Sequence, residues 1–374
     1  MRGAAVRPMV RPAIRRSLIP LPRARLLLIA GLILSLGVGG SWLSASASGR
    51  DRGAAVREFQ KGIAFAGYWG DAYASPAARH AMRDLRATGA TWIEIVVTAT
   101  TPNVRSTVID RLGPSTPTDA SLQSIIAYAH GLGLKVLLKP HIDPANVSSH
   151  WRGEIGASFN ETQWSAWFAA YQDFIVHYAE LAEQTGVEQF SIGCELDGTV
   201  GRATQWRAVA AAVRSVYGGV LTYADDEVLG DPDTIRWWDA VDVIGEDAYP
   251  TLSQKLEPSV GDLRRGWRHY IPWLQQLSQR WHKPLLLTEI GCRSVRGGAQ
   301  NPWDWQRRGR VDLALQARWY AAALKELGRR SWLVGAFWWA WSPDPPDGGS
   351  KDAGYTPHGK PAERILRAWY GRSL

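Results

Sequence analysis

The 374-residue chain reads as an α/β protein: a single (β/α)8 TIM barrel preceded by an N-terminal signal or anchor segment. Three observations predict this. Short apolar, β-rich runs alternate with stretches of helical period from residue 61 almost to the C-terminus. Two of those runs, Phe190–Cys194 and Pro284–Thr288, each deliver a glutamate at the C-terminal end, Glu195 and Glu289. The two glutamates are 94 residues apart, or about three strand–helix units at roughly 31 residues each. The rival architecture, a doubly wound sheet, needs a Gly-rich phosphate turn after its first strand, and none is present there.

The elements follow in order. Lys61–Ala66 is a first strand, and Ser75–Thr88 a first helix with Pro76 in its opening turn, where the missing N–H is tolerated. Thr91–Thr98 is apolar and β-branched, a second strand; Thr118 then caps a helix over Asp119–Leu132. Lys135–Pro140 is the third strand, followed by a long loop carrying His141, Asp143 and Trp151. Glu161–Thr185 is a long helix with Trp164, Phe168, Tyr171 and Phe174 on one face. After the Glu195 strand come a helix over Ala203–Tyr217 and a fifth strand over Val220–Ala224. Val241–Gly245 is the sixth strand, leading into Glu246-Asp247-Ala248-Tyr249-Pro250. A helix over Asp262–Trp281, the Glu289 strand and a helix over Asp312–Leu327 come next. Val334–Trp341 is the eighth strand and Pro361–Trp369 the closing helix, giving eight strands and about eight helices.

The formal charge of +8 suggests nucleic acid until it is located. Seven arginines precede the apolar run, no acid lies before Asp51, and removing residues 1–47 leaves a charge of +1. The basicity belongs to a leader: a charged segment, an apolar run and a small-residue exit at Ala45-Ser46-Ala47. Cleavage after Ala47 is expected, and the alternative is an uncleaved anchor, since Leu26–Leu43 is near the minimum length for a membrane span. The expected organisation is therefore a signal peptide or anchor over 1–47, a linker over 48–58 and the barrel over 59–374. The barrel is expected to be secreted or tethered outside the cytoplasm through residues 26–43, and to act as a monomer without nucleic acid.

Hydrophobic residues make up 45% of the chain and Trp numbers 20, too many for all of them to be core. Some are expected to line a groove. The two cysteines, Cys194 and Cys292, exclude a disulfide framework, and their places on strands four and seven predict two buried thiols.

In a barrel of this kind, residues at the C-terminal ends of the strands make the active site. Glu195 and Glu289 are the candidate catalytic pair. Trp69 follows strand one, Lys139, His141 and Asp143 end strand three, and Cys194 precedes Glu195. Tyr249 follows strand six, Trp303 follows strand seven, and Trp341 ends strand eight; all of these are candidate substrate-binding residues. Two carboxyl groups so placed suit retaining glycoside hydrolysis, in which one donates a proton while the other attacks the anomeric carbon. Tyr249 could donate to the attacking carboxylate or simply pack. Lys139, His141 and Asp143 could bind sugar hydroxyls or pair with one another. Trp303 and Trp305 could be groove platforms or loop anchors. With eight His in the chain and one His-x-Asp pair, neither a metal site nor a cofactor is expected.

The motifs G-C-E-L, T-E-I-G, L-K-P-H-I-D, D-A-Y-P, F-W-W-A-W and Y-T-P-H-G-K-P resemble, in order, those of glycoside hydrolase family 113. The resemblance covers about residues 60–371 and implies a retaining β-mannanase-type barrel. It implies Glu195 as acid/base, Glu289 as nucleophile, and Cys194 where the wider clan carries an Asn that contacts the sugar 2-hydroxyl. The loop after strand five, A-D-D-E-V-L-G-D-P, departs from an expected Asn-Trp-Asp-like segment. The implied activity is an endo-acting hydrolase of mannan, glucomannan or a related β-linked polysaccharide. A remodelling transglycosylase using the same two glutamates and a catalytically silent sugar-binding barrel are the alternatives.

Overall fold

A computed structural model describes residues 58–226, 233–328, 330–343 and 347–372. The expected leader and cleavage site, the apolar run over 26–43, nearly all of the expected linker, and positions 227–232 of the loop after strand five lie outside the described residues.

Eight strands close into one barrel in sequence order: β1 Gln60–Ala66, β2 Trp92–Thr101, β3 Lys135–Pro144, β4 Gln189–Cys194, β5 Val220–Asp225, β6 Val243–Ala248, β7 Leu285–Ile290 and β8 Leu333–Trp341. Neighbours pair in parallel throughout, and β8 returns to β1 through pairs such as Gly62 with Phe337. Gly62 is required there, because a Cβ would sit 2.4 Å from the Phe337 ring. Seven helices of ten residues or more surround the strands among the described residues: α1 Pro76–Arg86, α2 Asp119–Gly131, α3 Glu161–Thr185, α4 Ala203–Val216, α5 Val260–Trp281, α6 Leu313–Leu327 and α7 Pro361–Tyr370. Between β5 and β6 the described chain has only a 3-10 turn, Trp238–Ala240, so the expected eighth helix is absent from those residues.

Local chemistry explains the helix starts. Ser75 accepts from the Ala78 N–H ahead of α1, with Pro76 at the first helical position, and Thr118 accepts from Ser121 ahead of α2. Asn160 and Gln163 exchange side-chain-to-backbone bonds of 2.9 and 3.0 Å at the start of α3, and Gly186 ends that helix at φ 76.

The period of two along each strand sorts side chains into two cores. Leu285 and Leu287 pack outward between β7 and the helices, while Leu286 points inward with Trp92, Leu137, Val220, Val243, Val334 and Phe337. Gln60 and Gln189 bond at 3.0 Å inside the barrel. The outer core takes most of the Trp: Trp206 and Trp237 stack at 4.9 Å and 7°. The Trp residues that stay more than a third exposed among the described residues are Trp69, Trp151, Trp303 and Trp305. Each of these lies on a segment following a strand's C-terminal end, Trp69 after β1, Trp151 after β3, and Trp303 and Trp305 after β7.

Two boundaries differ from the sequence reading in ways that matter for the site. β3 runs four residues further, to Pro144, so His141 and Asp143 stand on the strand and not on a loop. The reason is pairing: β2 is also extended, by three residues to Thr101, and matches Thr98 with His141 and Thr100 with Asp143. β4 pairs with β3 only at Leu137 and Leu138, so Pro140, which has no N–H to give, sits above that ladder. β6 starts at Val243 and includes Glu246 and Asp247, which places Asp247 on the barrel wall. No helix among the described residues is long and apolar enough to cross a membrane.

Candidate active site

The end of β4 is built to present a carboxylate. Gly193 approaches Tyr223 and Tyr171 so closely that a Cβ there would lie 2.7 Å from one ring and 2.9 Å from the other hydroxyl. Glu195 then adopts φ 50, in the left-handed region, which for a residue of this size costs of order 1–3 kcal/mol. Its own N–H bonds Ala224 O at 2.8 Å and the next N–H, of Leu196, bonds the Tyr223 hydroxyl at 3.0 Å. These bonds hold the turn into the short helix Asp197–Val200 and leave the Glu195 side chain 16% exposed.

Glu289, on β7, is 5% exposed and held by two donors. Lys139 Nζ gives to Oε1 at 2.8 Å, and the Tyr249 hydroxyl gives to Oε2 at 2.6 Å. Glu195 has weaker company: Trp151 Nε1 at 3.4 Å and Arg152 Nη1 at 3.6 Å. Both carboxylates reach within 4.8 Å of the Cys194 sulfur, so they face one cleft.

The electrostatics of the two differ accordingly. Burial, opposed by Arg152 and reinforced by the Glu289 charge, lifts Glu195 to about 8. Burial and the Asp247 carboxylate also push Glu289 up, but the hydrogen bonds from Lys139 and Tyr249 pull it back. Glu195 therefore keeps a proton at neutral pH while Glu289 is the better-stabilised anion.

The other expected residues fall into groups. Lys139 is fully buried and spent on Asp247, at 3.0 and 3.1 Å, as well as on Glu289; it is not free to bind sugar, because its ammonium hydrogens are committed to these two carboxylates. Asp143 and His141 pair through Arg152, at 2.8 and 2.9 Å. His141 is thereby an acceptor at Nδ1, which leaves its buried Nε2 without a protein partner. Cys194 is 1% exposed and accepts from Arg152 Nη1 at 3.1 Å. Trp69 and Trp303 are exposed on the rim. Trp341 is not a groove residue: it is 1% exposed and stacks on His358 at 4.4 Å, because it points into the outer core. The part-exposed indole of β8 is Trp339, parallel to the His141 ring at 6.3 Å and 12°, with a cis peptide bond to Ala340.

Besides Trp151, four members of the site were not expected. Trp339 sits in the quoted F-W-W-A-W run, two residues from the one chosen. Asp247 lies in the D-A-Y-P motif two residues before Tyr249, and Glu94 is a lone charge in the apolar run of β2. Those spacings were signals. Arg152 carried none, since its contacts to β3 and β4 exist only once the loop folds. Groups of His, Cys, Asp and Glu side chains close enough for a metal occur at His141, Cys194 and Glu289 and at Cys194, Glu195 and Asp247. Lys139 and Arg152 already supply positive charge among them. A third group, Asp197, Asp225 and Asp226, lies at the ends of β4 and β5.

Comparison with known proteins adds the following. A family model described as Glycoside Hydrolase Family 113 matches residues 64–360. A family 113 β-mannanase from Alicyclobacillus acidocaldarius, solved in complex with ManMIm, is 32% identical at a TM-score of 0.75, covering 85% of this chain and 98% of that chain. A family 113 β-1,4-mannanase complex is 31% identical at the same TM-score of 0.75, covering 84% and 100%. A family 5 mannosidase from Rhizomucor miehei, 10% identical with a TM-score of 0.56 over 84% of this chain and 92% of that one, shares the fold. No curated protein matches the chain.

Proposed function

The chain belongs to glycoside hydrolase family 113, and from that premise we propose that it is a retaining, endo-acting hydrolase of β-1,4-linked mannan or glucomannan. Glu289 is the nucleophile and Glu195 the acid/base. The observation that carries this is the asymmetry of the two carboxyl groups: two strong donors stabilise the anion at Glu289, and burial keeps the proton on Glu195. The substrate class is supported by the similar solved structures, which are a β-1,4-mannanase and a β-mannanase.

In the first step Glu289 attacks the anomeric carbon while Glu195 passes its proton to the departing glycosidic oxygen. The carboxylate becomes a neutral ester, and the charge that had raised Glu195 disappears. Glu195 then ionises more readily, which suits it to take a proton from the water that attacks the same carbon and frees Glu289. Lys139 and Tyr249 receive the returning carboxylate. Trp339, beside His141, supplies a flat face for the sugar at the cleavage point, and Trp69, Trp151, Trp303 and Trp305 extend the groove along the rim. The orphan Nε2–H of His141 is available to a sugar hydroxyl. The basic and apolar pattern of residues 1–47 supports export, with the barrel either released after Ala47 or tethered through residues 26–43.

The test is reducing-sugar release from mannan, glucomannan, xylan, β-glucan and cellulose by the purified protein, with Glu289→Ala alongside. Turnover of the mannans that is lost in the variant is expected. Silence on both mannans, or equal activity in the variant, removes the reading.

A further inference from the structure

Lys139 places a single ammonium among three carboxylates. Its Nζ is 2.8 Å from Glu289, 3.0 Å from Asp247 and 3.7 Å from Glu94, and the side chains of Lys139, Asp247 and Glu94 are fully buried. The ammonium has no exposed surface, and its hydrogens go to Glu289 and Asp247, while neither oxygen of Glu94 accepts a hydrogen bond. Burial, opposed by Lys139 and reinforced by the Glu289 and Asp247 carboxylates, pushes Glu94 well above the usual carboxylate range. One positive charge is thus divided between two anions.

We propose that Lys139 and Asp247 are an opposed positioning pair for Glu289, the lysine stabilising its ionised form and the aspartate competing for that lysine. The inference rests on reading Glu289 as the nucleophile. It predicts a specific sign. Asp247 raises the pKa of Glu289 directly and by occupying Lys139; Lys139 lowers it. Once Glu289 is esterified the ammonium relaxes onto Asp247, and it recaptures the carboxylate when the ester breaks.

Other groups face Glu289 and are unchanged in the comparison. Tyr249 donates to it from beyond β6. Cys194 and Glu195 face it from β4, and His141 from β3. Arg152 stands in the loop after β3, Tyr68 follows β1, and Tyr355 precedes α7; each feels its charge. Among the described residues only Lys139 and Tyr249 hydrogen-bond it, and of these Lys139 alone is shared with another anion.

The experiment is the pH profile of kcat/KM on a manno-oligosaccharide for the unmodified protein, Asp247→Asn and Lys139→Met, with azide rescue of Glu289→Ala as a control on the nucleophile. Glu289 must be ionised to attack, so its titration is the acid limb. Asp247→Asn should move that limb to lower pH by about one unit, and Lys139→Met should move it up by about one unit or more. The alkaline limb should follow in the same direction, because the same two charges act on Glu195. A structural role would lower kcat without opposite displacements. An acid limb that stays in place or rises in Asp247→Asn, with Glu289→Ala inactive and rescued, overturns the pairing and spares the nucleophile. A fully active Glu289→Ala overturns both. Lys139→Met leaves Asp247 and Glu289 without their cation and need not fold; the near-isosteric Asp247→Asn then decides by its sign.

Discussion

The Tyr249 hydroxyl stands 2.6 Å from Oε2 of Glu289 and donates to it. Burial and the Glu289 charge push the phenol well above its usual range, so this proton stays on Tyr249 at every working pH. The bond can therefore serve only as a donor to the carboxylate. Tyr249→Phe keeps the ring and removes the donor. The expected result is a loss of roughly 10²-fold in kcat, typical of removing one preorganised donor. The acid limb should also rise, since the bond favours the ionised form. Steady-state kinetics across pH read both.

Glu289→Ala should abolish turnover, and added azide should partly restore it by occupying the vacated space and attacking the same carbon, with a glycosyl azide as product. Glu195→Ala should retain activity on aryl glycosides whose leaving group needs no proton. Product identification by mass and NMR distinguishes the two roles, and exchanged phenotypes would reverse the assignments.

As the proposed acid, Glu195, lifted to about 8, would have to be protonated when the leaving group departs. kcat/KM should therefore fall as pH rises through about 8. Arg152 holds that pKa below where burial alone would put it. Arg152→Met should move the alkaline limb to higher pH, along with a lower kcat because Asp143 loses its partner. A limb that moves down would show that Arg152 does not act through its charge on Glu195.

Cys194 and Cys292 are both unpaired and buried, and burial pushes both thiols up. Titration of denatured, unreduced protein should find two thiols per chain, and the native protein should react slowly. A count of zero would mean a bridge and contradict the structure.

Trp237 is fully buried, stacks on Trp206 and donates its indole N–H to Val200 O at 2.9 Å. Trp237→Ala should cost about 3–5 kcal/mol in urea unfolding, from lost packing and an unpaired carbonyl. A cost under about 1 kcal/mol would mean that the cavity collapses around the site.

The strand and helix order, the parallel barrel and the two glutamates three strands apart were all legible in the sequence. Each depends on local information: period-two apolar runs, the cap at Thr118, Pro76 in a first helical turn, and a strand end read directly from G-C-E-L and T-E-I-G. The Tyr249 contact was also within reach, since a strand-end tyrosine beside a strand-end glutamate has few other places to go.

Which residues of each motif reach the cleft was decided by the tertiary structure. Trp339 and Trp341 are both aromatic and close in sequence, yet the first is part exposed beside His141 and the second is buried against His358. The sequence left Lys139 open between binding sugar and pairing with His141 or Asp143, and the closed barrel spends it instead on Asp247 and Glu289, which come from strands 108 and 150 residues away. Arg152 gathers Asp143, His141 and Cys194 only because its loop folds back over β3 and β4. Sequence period determines which way most side chains point from their own strand, but the register shift where β8 meets β1 turns Trp341 away from the side that Trp339 faces. Which charges end up within 3 Å of one another in a dry interior depends on ring closure, which joins distant strands, and on burial, which compels every charge there to find a partner.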